Sequence, residues 1–377
     1  MKLVLFGAIL FVFATDMHAQ SETTASITVR EALQTACSKH ALPAMGIAVI
    51  AADTLALVDV TGLRKLGDTA RERLNDLWHI GSDTKAFTAA MIARLVDSHA
   101  LTYQSTIGQL FPELQGKILP GYDTITLETL LEHRAGLWHD WPQALSRKLF
   151  DAYRGPLRDQ RLKLLTTLLA YPPEFKPGSK YSYSNAGYVI ATAMAERAAN
   201  TEYERLMDSL VFQPLGITSA GWGLMNTRST NDNTWEHEDR AGRLIPIDNV
   251  LSADNPALMN PAGRLHLSLE DWSKFIRLFL PGSTMHLPGL NLGRFFDKLA
   301  YIRSDSMDYR DGWIITNRSW AGGIALNHAG SNTMNFVNVW VAPSKHFAVM
   351  VTCNAGNDAA VQAAEEVIGA AIRAYLQ

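Results

Sequence analysis

Apolar and polar positions change period along this chain, and the changes mark its elements. In "SITVREALQTACSKHA" apolar residues recur at helical spacing, while "AMGIAVIAADTLALVDVTGL" reads as two strands joined near Ala52 and Asp53. At the far end, "GWIITN", "GGIALNHAG", "MNFVNVWVAP" and "HFAVMVTCNAG" read as short strands separated by turn signals. The chain closes with "NDAAVQAAEEVIGAAIRAYL", an amphipathic helix whose start region runs from Asn354 to Asp358.

A lone hairpin buries its apolar face poorly, and so does a short strand group with one helix. Both termini are therefore expected to share one antiparallel sheet, covered by the two terminal helices. Between them helical periods dominate from about Ser82 to Ala300, in "TKAFTAAMIARLVDSH", "TLETLLEHRAG", "LRDQRLKLLTTLLAY", "AGYVIATAMAERAAN", "YERLMDSLVF" and "SLEDWSKFIRLFL". The loops "YPPEFKPGSKYSYSN" and "STNDNTWEHEDRAGRLIPID" interrupt them. The expected architecture is α+β, one catalytic unit with a sheet region at 20–81 and 301–377 and a mostly helical insertion at 82–300. A cleft between the two regions is the natural place for a site.

Composition narrows the class. With 377 residues, 47% of them hydrophobic, and a net charge of -3, the chain can bury a large core. Its basic residues are scattered, which gives no footprint for nucleic acid. The first residues place Lys2 before an apolar run from Leu3 to Ala14, too short for a bilayer-crossing helix of about 20 residues. A secretory signal peptide over 1–19, cleaved after Ala19, is expected, and with it a secreted or periplasmic protein with no stable membrane insertion after cleavage; an uncleaved anchor is the alternative, since Met17 is bulky where a small side chain is preferred. Cys37 and Cys353 are the only cysteines, so there is no disulfide framework, and two buried free thiols are expected.

Serine acyl transfer needs a nucleophile, a base and donors for the oxyanion. There is no G-x-S-x-G elbow, no zinc helix of the H-E-x-x-H type and no phosphate-binding glycine loop. Ser82 and Lys85 stand three apart, so on a helix starting at Gly81 or Ser82 they share a face, and the helix N-terminus offers free N–H groups. Lys85 can act as a base only if burial or nearby positive charge lowers its pKa from about 10.4. The alternative is structural, because Ser is also a favoured N-cap.

Two further stretches carry polar groups. "YSYSNAGY" places Tyr183 and Asn185 at a helix entrance, where a phenol can relay a proton and an amide can orient a carbonyl; a capped helix start is the plain alternative. "LNHAGS" puts His328, Gly330 and Ser331 on a strand, with Gly330 permitting close backbone approach and His328 offering a partly protonated imidazole to an anionic ligand. The cluster Glu236, His237, Glu238 and Asp239 is expected to be a solvated loop at the cleft rim rather than a metal site, since consecutive residues rarely converge on one ion. Trp138, His139, Trp141 and Trp222 fit an acyl pocket or core packing equally well.

The order of the three motifs, inside a layout of sheet, helical insertion and sheet, resembles the penicillin-recognising serine hydrolases. More specifically, it looks like the branch holding class C β-lactamases, related D-alanyl-D-alanine carboxypeptidases, D-aminopeptidases and several esterases. "TLLEHRAGL", "FKPGSKYSYSNAGY", "VFQPLGITSAGWG" and "NPAGRLHLSLEDWSKF" are similar to that family's connecting signatures, so the likeness covers nearly all of the mature chain. It implies a β-lactamase/transpeptidase-like fold and an acyl-enzyme mechanism needing no metal or organic cofactor. By the same likeness Ser82 is the nucleophile, Lys85 the group that deprotonates it, and Tyr183 the proton shuttle. Asn185 then holds the acyl side chain, and the backbone N–H groups of Ser82 and Ser331 form the oxyanion hole.

The implied partner is a small molecule or short peptide, with oligomeric state left open. Many β-lactamases of this branch have Lys-Thr-Gly where this chain has His328-Ala329-Gly330, which moves weight from β-lactams toward D-residue peptides or short esters. Arg134 and Ala135 also stand where small hydroxyl residues are usual. A non-catalytic binding or sensor module on the same fold is the alternative from another class, and Ser82→Ala separates the two.

Overall fold

The computed structural model describes residues 23–139, 154–226, 232–248, 253–290, 293 and 307–377. The expected signal peptide and Trp141 lie outside these residues. The described chain opens with α1 (Thr24–Lys39), whose first turn is capped by the Thr23 hydroxyl accepting from Ser26 N at 3.1 Å. The hairpin β1 (Ala44–Ala51) and β2 (Thr54–Gly62) follows, joined as expected at Ala52 and Asp53, both at positive φ (49° and 61°). A short strand β3 (Leu77–His79) leads into α2 (Thr84–Asp97).

The helical region continues through α3 (Ile107–Leu110), α4 (Leu127–Leu131), α5 (Leu157–Leu168), α6 (Asn185–Ala199) and α7 (Tyr203–Met207). It is less uniformly helical than its periodicity predicts. Strand β4 (Gly221–Trp222), the hairpin β5 (His237–Arg240) with β6 (Arg243–Pro246), and β7 (Leu265–Ser268) all fall inside it, the last preceded by the short α8 (Asn260–Gly263) and followed by α9 (Leu269–Ile276). Strands β3, β7 and β4 pair into a small antiparallel sheet. Segments of two to four residues are too short to show a period, which is why the sequence pattern misses them.

The C-terminal part supplies β8 (Met307–Arg310), β9 (Trp313–Arg318), β10 (Gly323–Ser331), β11 (Phe336–Ala342), β12 (Phe347–Cys353) and α10 (Asp358–Leu376). The first of these was not anticipated. Asn357 caps α10 by accepting from Ala360 N. A seven-stranded antiparallel sheet results, ordered β2-β1-β12-β11-β10-β9-β8, so the two chain ends meet where β1 pairs with β12.

Alternation along the strands gives each face its own core. In β1, Met45, Ile47 and Val49 join α1 and α10 on one side, while Ala44, Ala48 and Ile50 face the helical region. In β10, Leu326 faces the helical region with Val337 and Val339 of β11, which puts the inward positions of β10 against the segment leading into α2. Cys37 and Cys353 are buried and free.

Candidate active site

Ser82 does not cap a helix. It lies in a single 3-10 turn, Gly81–Asp83, that bridges β3 to α2, and it is half-buried while Asp83, Thr84 and Lys85 beside it are buried. The turn is held from inside: Thr84 Oγ1 donates to Gly81 O at 2.6 Å and accepts from Leu265 N at 3.1 Å. Gly81 sits at φ +51°, and a methyl group there would stand 2.5 Å from Ser331 N. On the facing strand, a methyl group on Gly330 would stand 2.1 Å from Ile80 O and 2.8 Å from Ser82 N. These two absent side chains let β10 lie directly against the turn. The amides of Ser82 and Ser331 thereby come to neighbouring positions.

Lys85 is fully buried, and its Nζ donates to Ser82 Oγ at 3.0 Å and to Ala262 O, in α8, at 2.5 Å. Burial drives its amine well below the ordinary value, with Asp83 opposing the shift. An unprotonated amine has a lone pair to accept the Ser82 proton. Both carboxyl oxygens of Asp83 are buried and have no hydrogen-bond partner among the described residues, and burial pushes this carboxyl well above its usual range.

Tyr183 reaches the same point from the loop before α6. Its ring centroid is 4.8 Å from Lys85 Nζ, and its buried Oη turns toward the Ser82 side chain. Burial raises this phenol. His133 holds the loop from beneath: its Nδ1 accepts from Ser184 N at 3.1 Å and its ring packs 4.3 Å from that of Tyr183. His139 Nδ1 lies 3.0 Å from Tyr183 O. Asn185, half-buried, begins α6.

His328 differs from expectation. Its side chain is 4% exposed, its Nε2 pairs with the Tyr309 hydroxyl at 3.1 Å, and its Nδ1 lies 3.8 Å from Asp83 Oδ2. Burial, reinforced by Lys85, pushes the imidazole down to about 3, so it is neutral rather than partly protonated at pH 7. The Ser331 side chain is tied to the following turn, Oγ donating to Asn335 O at 2.7 Å, which leaves its backbone facing the nucleophile's turn.

The expected solvated loop is also corrected. Glu236 and His237 are fully buried, Glu236 accepting from Met225 N and Asn226 Nδ2 while His237 Nδ1 meets Asn354 O and its Nε2 accepts from Leu66 N. Among the described residues no cluster of His, Cys, Asp and Glu has metal-binding geometry. Trp222 packs on Tyr203 and Phe212, and Trp138 on Tyr171. Sequence reasoning passed over Asp83, His133 and Tyr309, although Asp83 stood inside the S-x-x-K motif. Nothing local marks Tyr309, which comes from a strand the pattern did not show.

A family model described as β-lactamase matches residues 25–372. A lovastatin esterase of Penicillium rubens is 27% identical over 42% of this chain and 43% of its own length. The D-alanyl-D-alanine-carboxypeptidase/endopeptidase AmpH of Escherichia coli is also 27% identical, over 41% of this chain and 39% of its own. The chain thus spans less than half the length of these relatives in the matched stretches. Among solved structures, a class C β-lactamase superposes with a TM-score of 0.75 over 93% of this chain and 98% of that one, at 17% identity, which is a likeness of fold.

Proposed function

This chain belongs to the β-lactamase family, and from that premise we propose that it is a serine hydrolase working through an acyl-enzyme on small esters lacking a carboxylate beside the scissile bond. Lys85 takes the proton of Ser82, whose Oγ attacks the carbonyl. The oxyanion is held by the N–H groups of Ser82 and Ser331, Tyr183 returns the proton to the leaving oxygen, and water then releases the acid. Asn185 is assigned to the acyl side chain, and the Gly330 backbone to the substrate's flank. The 3.0 Å contact between a fully buried, pKa-depressed Lys85 and Ser82 Oγ carries the acyl-transfer reading.

The preference for neutral esters rests on His328, which offers a substrate carboxylate no charge. Ala329 adds no hydroxyl. Short D-residue peptides are the second reading, favoured by the likeness to AmpH, and β-lactams the third. The N-terminal segment is assigned to export, with N-terminal sequencing of the mature protein as its check.

The test is the release of p-nitrophenol from p-nitrophenyl acetate, followed from milliseconds to minutes in wild type and Ser82→Ala. A burst near one equivalent that vanishes in the variant is expected. Equal traces from the two proteins would exclude Ser82 as the nucleophile and favour a binding module.

A further inference from the structure

Three segments that build the site converge on one carboxylate outside it. Asp254 lies in the loop before α8, with a side chain 3% exposed. Its Oδ2 accepts from His79 Nε2 at 3.2 Å and from Arg264 Nε at 3.1 Å, and its Oδ1 accepts from Asn332 Nδ2 at 3.3 Å and from Asn255 N at 2.8 Å.

His79, Asn332 and Arg264 each have a second attachment within a segment that builds the site. His79, at the end of β3, uses Nδ1 to accept from Gly81 N at 3.1 Å, which leaves Nε2–H to donate to Asp254. Asn332 follows Ser331 directly and shapes the turn after β10, its Oδ1 accepting from Asn335 N at 2.9 Å. Arg264 closes α8, which carries the Ala262 carbonyl that receives Lys85 Nζ, and its Nη1 donates back to Asn260 Oδ1 at 2.7 Å.

We propose that Asp254 is a positioning residue for acyl transfer, holding the Ser82 turn through His79, the Ser331 end of β10 through Asn332, and the acceptor of Lys85 through Arg264. It touches none of the reacting atoms. Its effect is geometric: attack requires Oγ, the base and two amides to be in register, and a misplacement of about 1 Å costs roughly 10²-fold in rate. The carboxylate stays charged in this role. Burial works against ionisation, but His79, Arg264 and Asn255 together bring its pKa down to about 2.

The inference rests on the acyl-enzyme reading, and burst kinetics separates the two. Wild type, Asp254→Asn, His79→Asn and the double variant are mixed with excess p-nitrophenyl acetate in a stopped-flow instrument. The amplitude counts correctly folded sites and the rate constant reports acylation. In His79→Asn the new amide oxygen falls near the position of Nδ1 and can still accept from Gly81 N, so mainly the link to Asp254 is cut.

For Asp254→Asn the expected result is an amplitude like that of wild type per folded molecule and a burst rate constant lower by roughly 10²-fold. His79→Asn is expected to share part of that loss and to add nothing in the double variant, because the two act through one another. Reduced amplitude with an unchanged rate constant would assign Asp254 to folding alone, and losses that simply add would separate it from His79; either overturns the proposal. A wild type without any burst would overturn the acyl-enzyme reading itself, and the positioning role with it.

Discussion

The Tyr309 hydroxyl stands 3.1 Å from Nε2 of His328, reaching across β9 from one strand of the sheet to another. That contact takes up one ring nitrogen and Ala329 O, 2.9 Å from Nδ1, takes up the other, in surroundings that push the imidazole down to about 3.

Selectivity for an uncharged ester over one bearing a carboxylate is therefore expected to stay constant between about pH 5 and 8, where an exposed histidine would titrate. The measurement is the ratio of kcat/KM for the two ester types across that range. A rise in the relative rate of the anionic ester below about pH 6.5 would show that His328 charges there.

Lys85 must be unprotonated to act as base, so activity is lost as pH falls through its value in the folded enzyme. Burial places that value well below 10.5. The acid limb of kcat/KM is accordingly expected far below the lysine reference of about 10.4. Lys85→Arg, whose guanidinium stays protonated, is expected to lose roughly 10²- to 10⁴-fold in burst rate. A limb near 10, or an active arginine variant, contradicts this role.

Tyr183→Phe separates catalysis from stability. Among the described residues the buried hydroxyl has no structural hydrogen-bond partner and turns only toward Ser82, so its removal strands no core group and the melting temperature is expected to hold or rise. Acylation is expected to slow by roughly 10²- to 10⁴-fold. A large loss of stability in thermal unfolding would reveal a structural partner for the phenol.

Gly330→Ala is expected to be among the most damaging small changes in the molecule. Its methyl group would meet Ile80 O at 2.1 Å and Ser82 N at 2.8 Å, both backbone atoms that cannot swing away. Either β10 or the nucleophile's turn must move, so soluble variant should show a collapsed burst rate. An active, stable variant would mean that the strand and turn stand farther apart.

Glu236 gives the fold a pH dependence of its own. Burial raises its carboxyl to about 8 in the folded chain, against about 4.3 unfolded. The folded state then holds the proton more tightly, so this contribution is fully present below about pH 4.3 and is lost progressively as pH rises toward 8. Glu236→Gln removes the titration. Its melting temperature is expected to fall less than that of wild type between pH 5 and 8, and parallel curves would show that the carboxyl is ionised throughout.

What could be read along the chain was what neighbouring residues decide. Ser82 and Lys85 fall on one side because three residues nearly complete a turn, and their 3.0 Å contact needs only that local geometry. The hairpin at Ala52 and Asp53 and the two terminal helices are of the same kind. Tertiary structure decided the protonation states and the partnerships. His328 is neutral because Tyr309, Lys85 and the sheet surround it, and Glu236 is buried because Met225 and Asn226 arrive from another segment. Asp254 matters only where His79, Asn332 and Arg264 meet. Desolvation and hydrogen bonding are sums over whatever the fold brings near, and no window of sequence contains those neighbours.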